Sequence, residues 1–385
     1  TEVGAASGVW NLDDIYDYKR GANWPEAGVT DPDTLIENLF AVNLHTGSES
    51  SPGAIVNGID LANEGGLVWI AQRDDTRGNH FFDTERGANK HVLSDTSAAE
   101  VSDNNTLNSF TSTGFVLGGD SGINANNGEF VSWTFRKAPK FFDIVTYTGN
   151  GANRTIAHSL GSVPGMILVK KLNAAKNWAV YHRGYNGGTD PATYWDILNV
   201  GQAAQTNATA WNNTEPTSTV FTVGTIDHAN NDGDTYVAYL FAHETGADSL
   251  IQCGFYTGNG ATPVGPVINL GWEPQWLLVK NATSDSNHWY VYDTLRGWPV
   301  GNTVASQSIT TLLRANTNEA EVGGTWAANN RGATGFQVRD DDAHFNTNGS
   351  NYIYVAIRGP MMKEPTAATE VFAIDLENDA APYHT

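Results

Sequence analysis

The sequence predicts an all-β protein made of three tandem β-sandwich modules, jelly-roll-like in type, with an arm before them and a short tail after them. Three observations predict this class. One ordered set of sequence landmarks occurs three times, within 38–139, 140–247 and 248–360. The apolar runs are of strand length and too short for a buried helix. Gly is abundant, at 40 residues, and Gly-Asn-Gly segments separate the runs, as turns with positive φ require.

Each copy opens on a Thr-Gly pair and continues into an apolar strand. The pairs are Thr46-Gly47, Thr148-Gly149 and Thr257-Gly258. The strands that follow read "LVWIAQR", "MILVKK" and "WLLVKN". Runs of this length, bounded by turn residues, predict the central strand of a sheet.

An aromatic strand, a Thr-rich stretch and a closing strand complete every copy. Aromatic and β-branched residues favour strands, and the alternation of aromatic and small residues in the closing strand is typical of a strand between two packed layers. The aromatic strands read "HFFDTERG", "WAVYHRG" and "WYVYDTLRG", and the closing strands read "NNGEFVSWTF", "NDGDTYVAYLF" and "NTNGSNYIYVAI". Six or more strands in about 100 residues, without crossover helices, predict antiparallel sandwiches.

The segments outside the clear repeat are expected to differ from it. Residues 1–37 are predicted to be a docking arm that packs on a neighbour or on the first module, through Trp10, Tyr16, Tyr18 and Trp24. Residues 361–385 are expected to be a Pro-punctuated tail with one more strand. Inside the first copy, 95–109 has the best helical spacing, and its Asn content limits the expected helix to one or two turns.

Charge and cysteine usage exclude several classes of protein. The chain has 21 Lys and Arg against 42 Asp and Glu, a formal net charge of −21, which argues against nucleic acid and anionic membranes as partners. Its apolar runs are far shorter than a membrane-spanning helix. Cys253 is the single cysteine, so the chain has neither an internal disulfide nor a cysteine zinc site, and a buried structural thiol is expected.

The sequence predicts neither catalytic residues nor a cofactor. It has no HExxH, Gly-x-Ser-x-Gly or P-loop motif. Asp340, Asp341 and Asp342 precede an oxygen-rich segment and are candidate calcium ligands, although the spacing of an EF-hand is absent. The alternative is a solvated loop, because Asp is a common turn residue.

Arg86, Arg183 and Arg296, each followed by Gly, occur at the end of the aromatic strand in the three copies. Two explanations remain open. Each Arg pairs with a carboxylate or carbonyl inside its module, or the three display a guanidinium to a ligand.

The repeat resembles the β-module of tailed-bacteriophage virion proteins, particularly tail-fibre and appendage proteins of phages from marine and cyanobacterial hosts. The resemblance covers about 38–360 and is carried best by the second copy, with "YTGNG", "HSLGSVPGMILVKKLNAAKNWAVYHRG" and "NNDGDTYVAYLFA". The first copy lacks the Pro before "LVWIAQR", and the third ends "YVAIRG". Packing at the terminal copies is therefore expected to differ.

The resemblance implies a β-fold at the exterior of a virion and transfers no catalytic residue. It favours a non-enzymatic tail fibre or appendage that positions or makes contact with the host cell surface. Capsid or neck decoration, a polysaccharide depolymerase and a secreted carbohydrate-binding protein are the alternatives. Expected partners are further copies of the chain, with a trimer favoured, other virion proteins and host surface glycans. Repetition of the module is expected to build length.

Overall fold

The computed structural model describes residues 35–50, 53–246, 248–300, 310–324 and 329–360, and these residues are nearly all β, as predicted. The aromatic arm residues Trp10, Tyr16, Tyr18 and Trp24 and the tail 361–385 lie outside the described residues. No helix of the described part is long and apolar enough to cross a membrane.

The strands fall into three groups, which we call modules 1, 2 and 3 (residues 40–136, 142–242 and 251–358). Module 1 contains β1 (Phe40–Thr46), β2 (Gly53–Val56), β3 (Gly66–Gln72), β4 (His80–Asp83), β5 (Lys90–Leu93), β6 (Val101–Ser102), β7 (Leu107–Thr111), β8 (Gly114–Leu117) and β9 (Glu129–Arg136). Module 2 contains β10 (Phe142–Thr148), β11 (Arg154–Ala157), β12 (Pro164–Lys171), β13 (Ala179–His182), β14 (Tyr194–Ile197), β15 (Gln205–Thr206), β16 (Val220–Val223) and β17 (Thr235–Ala242). Module 3 contains β18 (Ile251–Thr257), β19 (Val267–Asn269), β20 (Pro274–Asn281), β21 (Trp289–Asp293), β22 (Thr310–Arg314), β23 (Val322–Gly324), β24 (Asn329–Gly332), β25 (Gly335–Val338) and β26 (Asn351–Arg358).

Each module is an antiparallel sandwich of one large and one small sheet. The large sheets have six strands in the same relative order, β1-β9-β3-β4-β5-β6, β10-β17-β12-β13-β14-β15 and β18-β26-β20-β21-β22-β23. The small sheets are β2-β8-β7, β11-β16 and β19-β25-β24. Because the register is also the same, residues of the three modules can be matched one by one. Thr46, Thr148 and Thr257, for example, pair with Glu129, Thr235 and Asn351.

The expectation of a helix within 95–109 is wrong. That segment forms β6 and the start of β7, joined by a turn in which the Asp103 side chain accepts a hydrogen bond from Asn105 N at 2.8 Å. Its Asn and Asp side chains favour such turns over helix. The one-turn α-helices lie elsewhere in the described residues, as α1 (Ile36–Leu39), α2 (Ser121–Asn124), α3 (Ala208–Trp211) and α4 (Asp227–Asn230). Two 3₁₀ turns cover Tyr185–Gly188 and Pro191–Thr193.

The central strands of the large sheets are buried on both faces. β3, β12 and β20 are buried at every position. In module 1, Val68 and Ile70 point to the small sheet, whereas Leu67 and Trp69 join a second core that is common to the three modules. Successive side chains of a strand point to opposite faces, so β3 contributes to both cores. This double burial explains why these strands read as continuous apolar runs.

The common core brings aromatic rings from all three modules together around Phe135. The Phe135 ring lies 5.5 Å from Phe142 and 5.6 Å from Phe241 of module 2, and 5.7 Å from Trp276 of module 3, between ring centroids. Phe135 is fully buried. The modules therefore pack around one centre, and the expectation that repetition builds length is wrong for the described body, because the apolar inner faces are buried only when the sheets converge.

The Thr-Gly landmarks mark a close approach of two backbones. A Cβ on Gly47, Gly149 or Gly258 would collide with the carbonyl oxygen of Ala125, Asn231 or Thr347, respectively. A buried Asn precedes each of these three residues, and Asn230 is representative. Its Nδ2 donates to Gly224 O at 2.7 Å, and its Oδ1 accepts from Asn150 N at 3.0 Å. In each module, the Gly and the Asn thus hold the first strand (β1, β10 or β18) against the turn that precedes the last strand (β9, β17 or β26).

Candidate functional site

The boundaries between modules hold most of the buried charged groups and an open cleft. One backbone hydrogen bond recurs at all three boundaries and joins matched residues. These bonds run from Glu100 N to Leu172 O (2.8 Å), from Ala204 N to Ala282 O (2.9 Å) and from Glu321 N to Arg73 O (2.7 Å). Module 1 thus contacts module 2, module 2 contacts module 3, and module 3 contacts module 1, so the three close into a ring.

The last residue of each aromatic strand reaches into the next module. Asp293 Oδ2 accepts a hydrogen bond from Trp133 Nε1 of module 1 at 2.9 Å. Asp83 Oδ2 accepts one from the Tyr239 hydroxyl of module 2 at 2.7 Å. At the third boundary the matched residue is His182, and its Nε2 lies 3.0 Å from a backbone carbonyl oxygen of module 3, that of Tyr354. A polar side chain therefore crosses each boundary at the same place.

Arg86 and Arg296 are buried partners of these aspartates. Arg86 Nε donates to Asp83 Oδ2 at 2.5 Å, and Arg296 Nε donates to Asp293 Oδ2 at 2.6 Å. Their side chains are 2% and 0% exposed. Burial opposes the charge of Arg86, but the adjacent Asp83 carboxylate outweighs it and raises the pKa of the guanidinium. At both positions the geometry fits a structural Arg that pairs with a carboxylate inside its own module.

Arg183 is not the counterpart of Arg86 and Arg296. Arg183 directly follows His182, the last residue of its strand. Arg86 and Arg296 stand three residues after their aspartates, and the residue at that position in module 2 is the buried Tyr185. Arg183 is exposed, and its Nη1 lies 3.5 Å from Cys253 O. The shared Arg-Gly dipeptide therefore conceals a difference in register, because Arg183 stands at a different distance from the end of its strand than Arg86 and Arg296 do.

Two matched lysines, Lys170 and Lys280, lie buried at boundaries with the preceding module. Lys280 Nζ donates to Gln202 O of module 2 at 2.9 Å, and Lys170 Nζ donates to Ser97 O of module 1 at 3.4 Å. Burial lowers the pKa of Lys170 to about 8. Near Lys280, burial raises the pKa of Asp196 to about 7, and the ammonium group partly offsets that rise. Sequence analysis missed these residues, although the Lys that ends "LVK" in two copies was a visible signal.

The boundary between modules 1 and 2 contains an open cleft of about 640 Å³. Its walls come from the turn after β4, the start of β5, the segment just before β6, the end of β10, the residues that follow β12, and the start of β17. The lining residues are Glu85, Arg86, Lys90, Ala99, Glu100, Thr146, Tyr147, Thr148, Leu172, Asn173, Thr235 and Tyr236. Of the three predicted repeat arginines, only Arg86 borders it, and its nitrogens bond to protein atoms.

The calcium candidates do not converge. Asp340 Oδ1 accepts from Asp342 N at 3.1 Å, and Asp342 Oδ1 accepts from His344 N at 2.8 Å, as in a chain of turns. Within the described ranges, no group of three or more His, Cys, Asp or Glu side chains is placed to hold a metal ion. Cys253 is buried, as expected, and burial raises the pKa of its thiol.

Comparison with known proteins gives a match to a family and a match to a solved structure. The family model described as a domain of unknown function, DUF7483, matches residues 37–359. A search of curated proteins gives no match. The crystal structure of the STIV MCP is 10% identical, with 56% of this chain and 85% of that chain covered at a TM-score of 0.14. A TM-score that low carries no argument about fold or function.

Proposed function

The chain belongs to the DUF7483 family, a domain of unknown function, and we propose that it is a non-enzymatic structural protein of a bacteriophage virion. In this proposal it is a tail fibre or appendage at the exterior of the particle, and it positions or makes contact with the host cell surface. Its partners are other virion proteins, host surface glycans and further copies of the chain, with a trimer favoured.

The observation that supports the proposal is where the phage-like sequence pattern falls in the fold. "MILVKK" lies in β12, "WAVYH" ends in β13 and "YVAYLF" lies in β17, and the residues of these three segments are buried in adjacent central strands. "YTGNG" contains Gly149, which has no room for a side chain. The resemblance therefore concerns the residues that determine the architecture, and architecture is what a structural virion protein supplies.

Immunogold labelling of intact particles tests the proposal. We expect antibodies against module 3 to label the tail or its appendages in electron micrographs. Label on the head or neck would instead assign a capsid or neck decoration role. Absence of label, together with absence of the chain from the mass spectrum of purified particles, would refute virion location and favour a secreted carbohydrate-binding protein. Sedimentation of the purified chain tests the trimer, which a monomer at all concentrations would contradict.

A depolymerase is the second candidate, because the cleft holds two carboxylates. Glycoside hydrolysis needs an acid and a base or nucleophile about 5–9.5 Å apart. Glu85 accepts from Lys137 Nζ at 2.5 Å, and Glu100 accepts from Arg86 Nη1 at 3.2 Å, so each carboxylate is engaged by a cation. We expect no reducing ends from host polysaccharide. If the wild-type protein releases reducing ends and the Glu100→Gln variant does not, the protein is an enzyme.

A further inference from the structure

Two of the three matched boundaries are bridged by protein atoms, and the third, between modules 1 and 2, contains the open cleft. Between modules 2 and 3, the turn Tyr185–Gly188 lies on β18. Its neighbour Gly184 is so close to Phe255 that an added Cβ would stand 2.9 Å from the Phe255 Cβ, and Gly184 O accepts from Asn351 Nδ2 at 2.9 Å. Between modules 3 and 1, Arg73 Nε reaches across to Glu321 Oε2 at 2.5 Å. Protein atoms therefore bridge both of these boundaries.

The boundary between modules 1 and 2 lacks one bulky residue that each of the other two boundaries has, and it has a shorter connection. Thr146 stands where module 3 has Phe255, and Leu172 stands where module 1 has Arg73, as the strand pairing shows. The connection from β4 to β5 spans only 84–89, against 183–193 for β13 to β14. The turn that covers β18 therefore has no equivalent over β10. The cleft of about 640 Å³ is the result.

The charged groups in the cleft are compensated by one another. Two carboxylates, Glu85 and Glu100, face two cations, Arg86 and Lys90, so the lining has no formal net charge. Glu100 accepts from Arg86 Nη1 at 3.2 Å, and its other oxygen lies 3.9 Å from Lys90 Nζ. Glu85 is bonded to Lys137. An ionic ligand would find no unpaired counter-charge here, and its desolvation would go uncompensated.

The rest of the lining combines exposed polar groups with aliphatic carbon. Thr146, Thr148 and Thr235 are exposed on the two adjacent strands β10 and β17. Ala99 and Leu172 are half-buried and add aliphatic carbon to the cleft. The Tyr147 and Tyr236 rings stack on each other at the opposite face of the sheet, and Tyr236 is fully buried. Hydroxyl groups beside apolar carbon match a pyranose ring, which has polar edges and apolar faces.

We propose that the cleft between modules 1 and 2 binds a neutral oligosaccharide. A volume of about 640 Å³ lies within the range of roughly 300–1,000 Å³ that small-ligand sites occupy. The cleft belongs to the intact ring, because neither module alone supplies both walls. The proposal does not depend on virion location, so particle labelling and sugar binding can fail separately.

Thr146→Phe is the test variant, because the repeat already contains Phe at the matched position, Phe255. The added ring fills the cleft without a new backbone conformation. Thr155→Phe is the control, since it places the same ring at an exposed position of β11, outside the cleft. Circular dichroism and urea unfolding of both variants confirm that each is folded.

Binding is measured by saturation-transfer NMR and calorimetry with the full chain. The probes are maltotriose, cellotriose, mannotriose, galactotriose and chitotriose at millimolar concentration, with a trimer of galacturonic acid as the anionic probe. We expect at least one neutral probe to bind, with an affinity that salt does not change. Thr146→Phe should weaken that binding about tenfold or more, a loss of about 1.4 kcal/mol, and Thr155→Phe should leave it unchanged.

Three results would overturn the proposal. They are the failure of every neutral probe to bind, equal binding by the Thr146→Phe and wild-type proteins, and preference for the anionic probe with an affinity that falls as salt rises. The last result would assign the cleft to a charged ligand.

Discussion

Replacement of Arg296 by Met separates the two roles that a repeated Arg could have. The Arg296 side chain is fully buried, donates to Asp293 Oδ2 at 2.6 Å and to Val291 O at 2.9 Å, and lies 5.3 Å from the centre of the Trp133 ring. Met has a similar length and no charge. The variant therefore keeps most of the packing and leaves the buried Asp293 carboxylate without its cation.

The expected loss of unfolding free energy is about 3 kcal/mol. Removing one partner of a buried ion pair costs about 3–5 kcal/mol, because the other charge stays buried without compensation. We expect the lower end, since Asp293 retains the hydrogen bonds from Trp133 Nε1 and from the backbone N–H at position 296. Adding Asp293→Leu to Arg296→Met should recover part of the loss, because the unpaired charge is then removed.

Urea unfolding followed by tryptophan fluorescence measures the change, and Arg183→Met is the matched control. Arg183 is exposed, so its replacement should change the unfolding free energy by no more than about 0.5 kcal/mol. Equal losses for the two variants would refute the structural distinction between the arginines. So would a loss below about 1 kcal/mol for Arg296→Met, which would show that the buried pair contributes little net stability.

Three further predictions concern the common core and buried titratable groups. Phe135→Ala should lower the unfolding free energy by about 3–5 kcal/mol and shift one calorimetric unfolding transition of the whole protein to a lower temperature. Separate melting of one module would contradict a shared core. Cys253 should resist iodoacetamide in the folded protein and react in urea, as intact mass will show, because burial raises the pKa of its thiol; rapid native alkylation would contradict this. His182 is buried and its pKa is lowered to about 3, so the unfolded chain gains a proton below pH 6.5 that the folded chain does not. The contribution of His182 to the unfolding free energy should therefore fall by about 1.4 kcal/mol for each pH unit as the pH falls from 6.5 towards 3. The unfolding free energies at pH 7 and pH 5 should differ less for His182→Gln than for the wild type.

Much of the architecture was predictable because local pattern and strand length depend on neighbours in sequence. The runs "MILVKK" and "WLLVKN" predicted central strands, and β12 and β20 are central and fully buried. The Thr-Gly pairs marked positions where two backbones approach too closely for a side chain. The helix expectation at 95–109 failed because the turn chemistry of Asp103 and its Asn neighbours outweighed a weak periodicity.

The candidate site was less predictable, because its residues lie far apart in the chain and many of them meet across modules. Arg86 was singled out from the Arg-Gly repeat, but its partners Glu100 and Tyr239 lie 14 and 153 residues away in the chain. Alignment by dipeptide also placed Arg183 with Arg86 and Arg296, whereas strand register separates them. The cleft itself depends on Thr146 and Leu172, whose importance appears only beside the bulkier Phe255 and Arg73.

The sequence by itself determined the all-β class, the internal repetition and the positions of the central strands. These follow from side-chain periodicity and turn residues, which act over a few positions. Only the tertiary structure decided that the modules converge on Phe135, that they contact one another in a closed ring, and that the boundary between modules 1 and 2 contains an open cleft. Those features depend on how large the side chains are at matched positions and how far each connection reaches, and both become meaningful only when the sheets face one another.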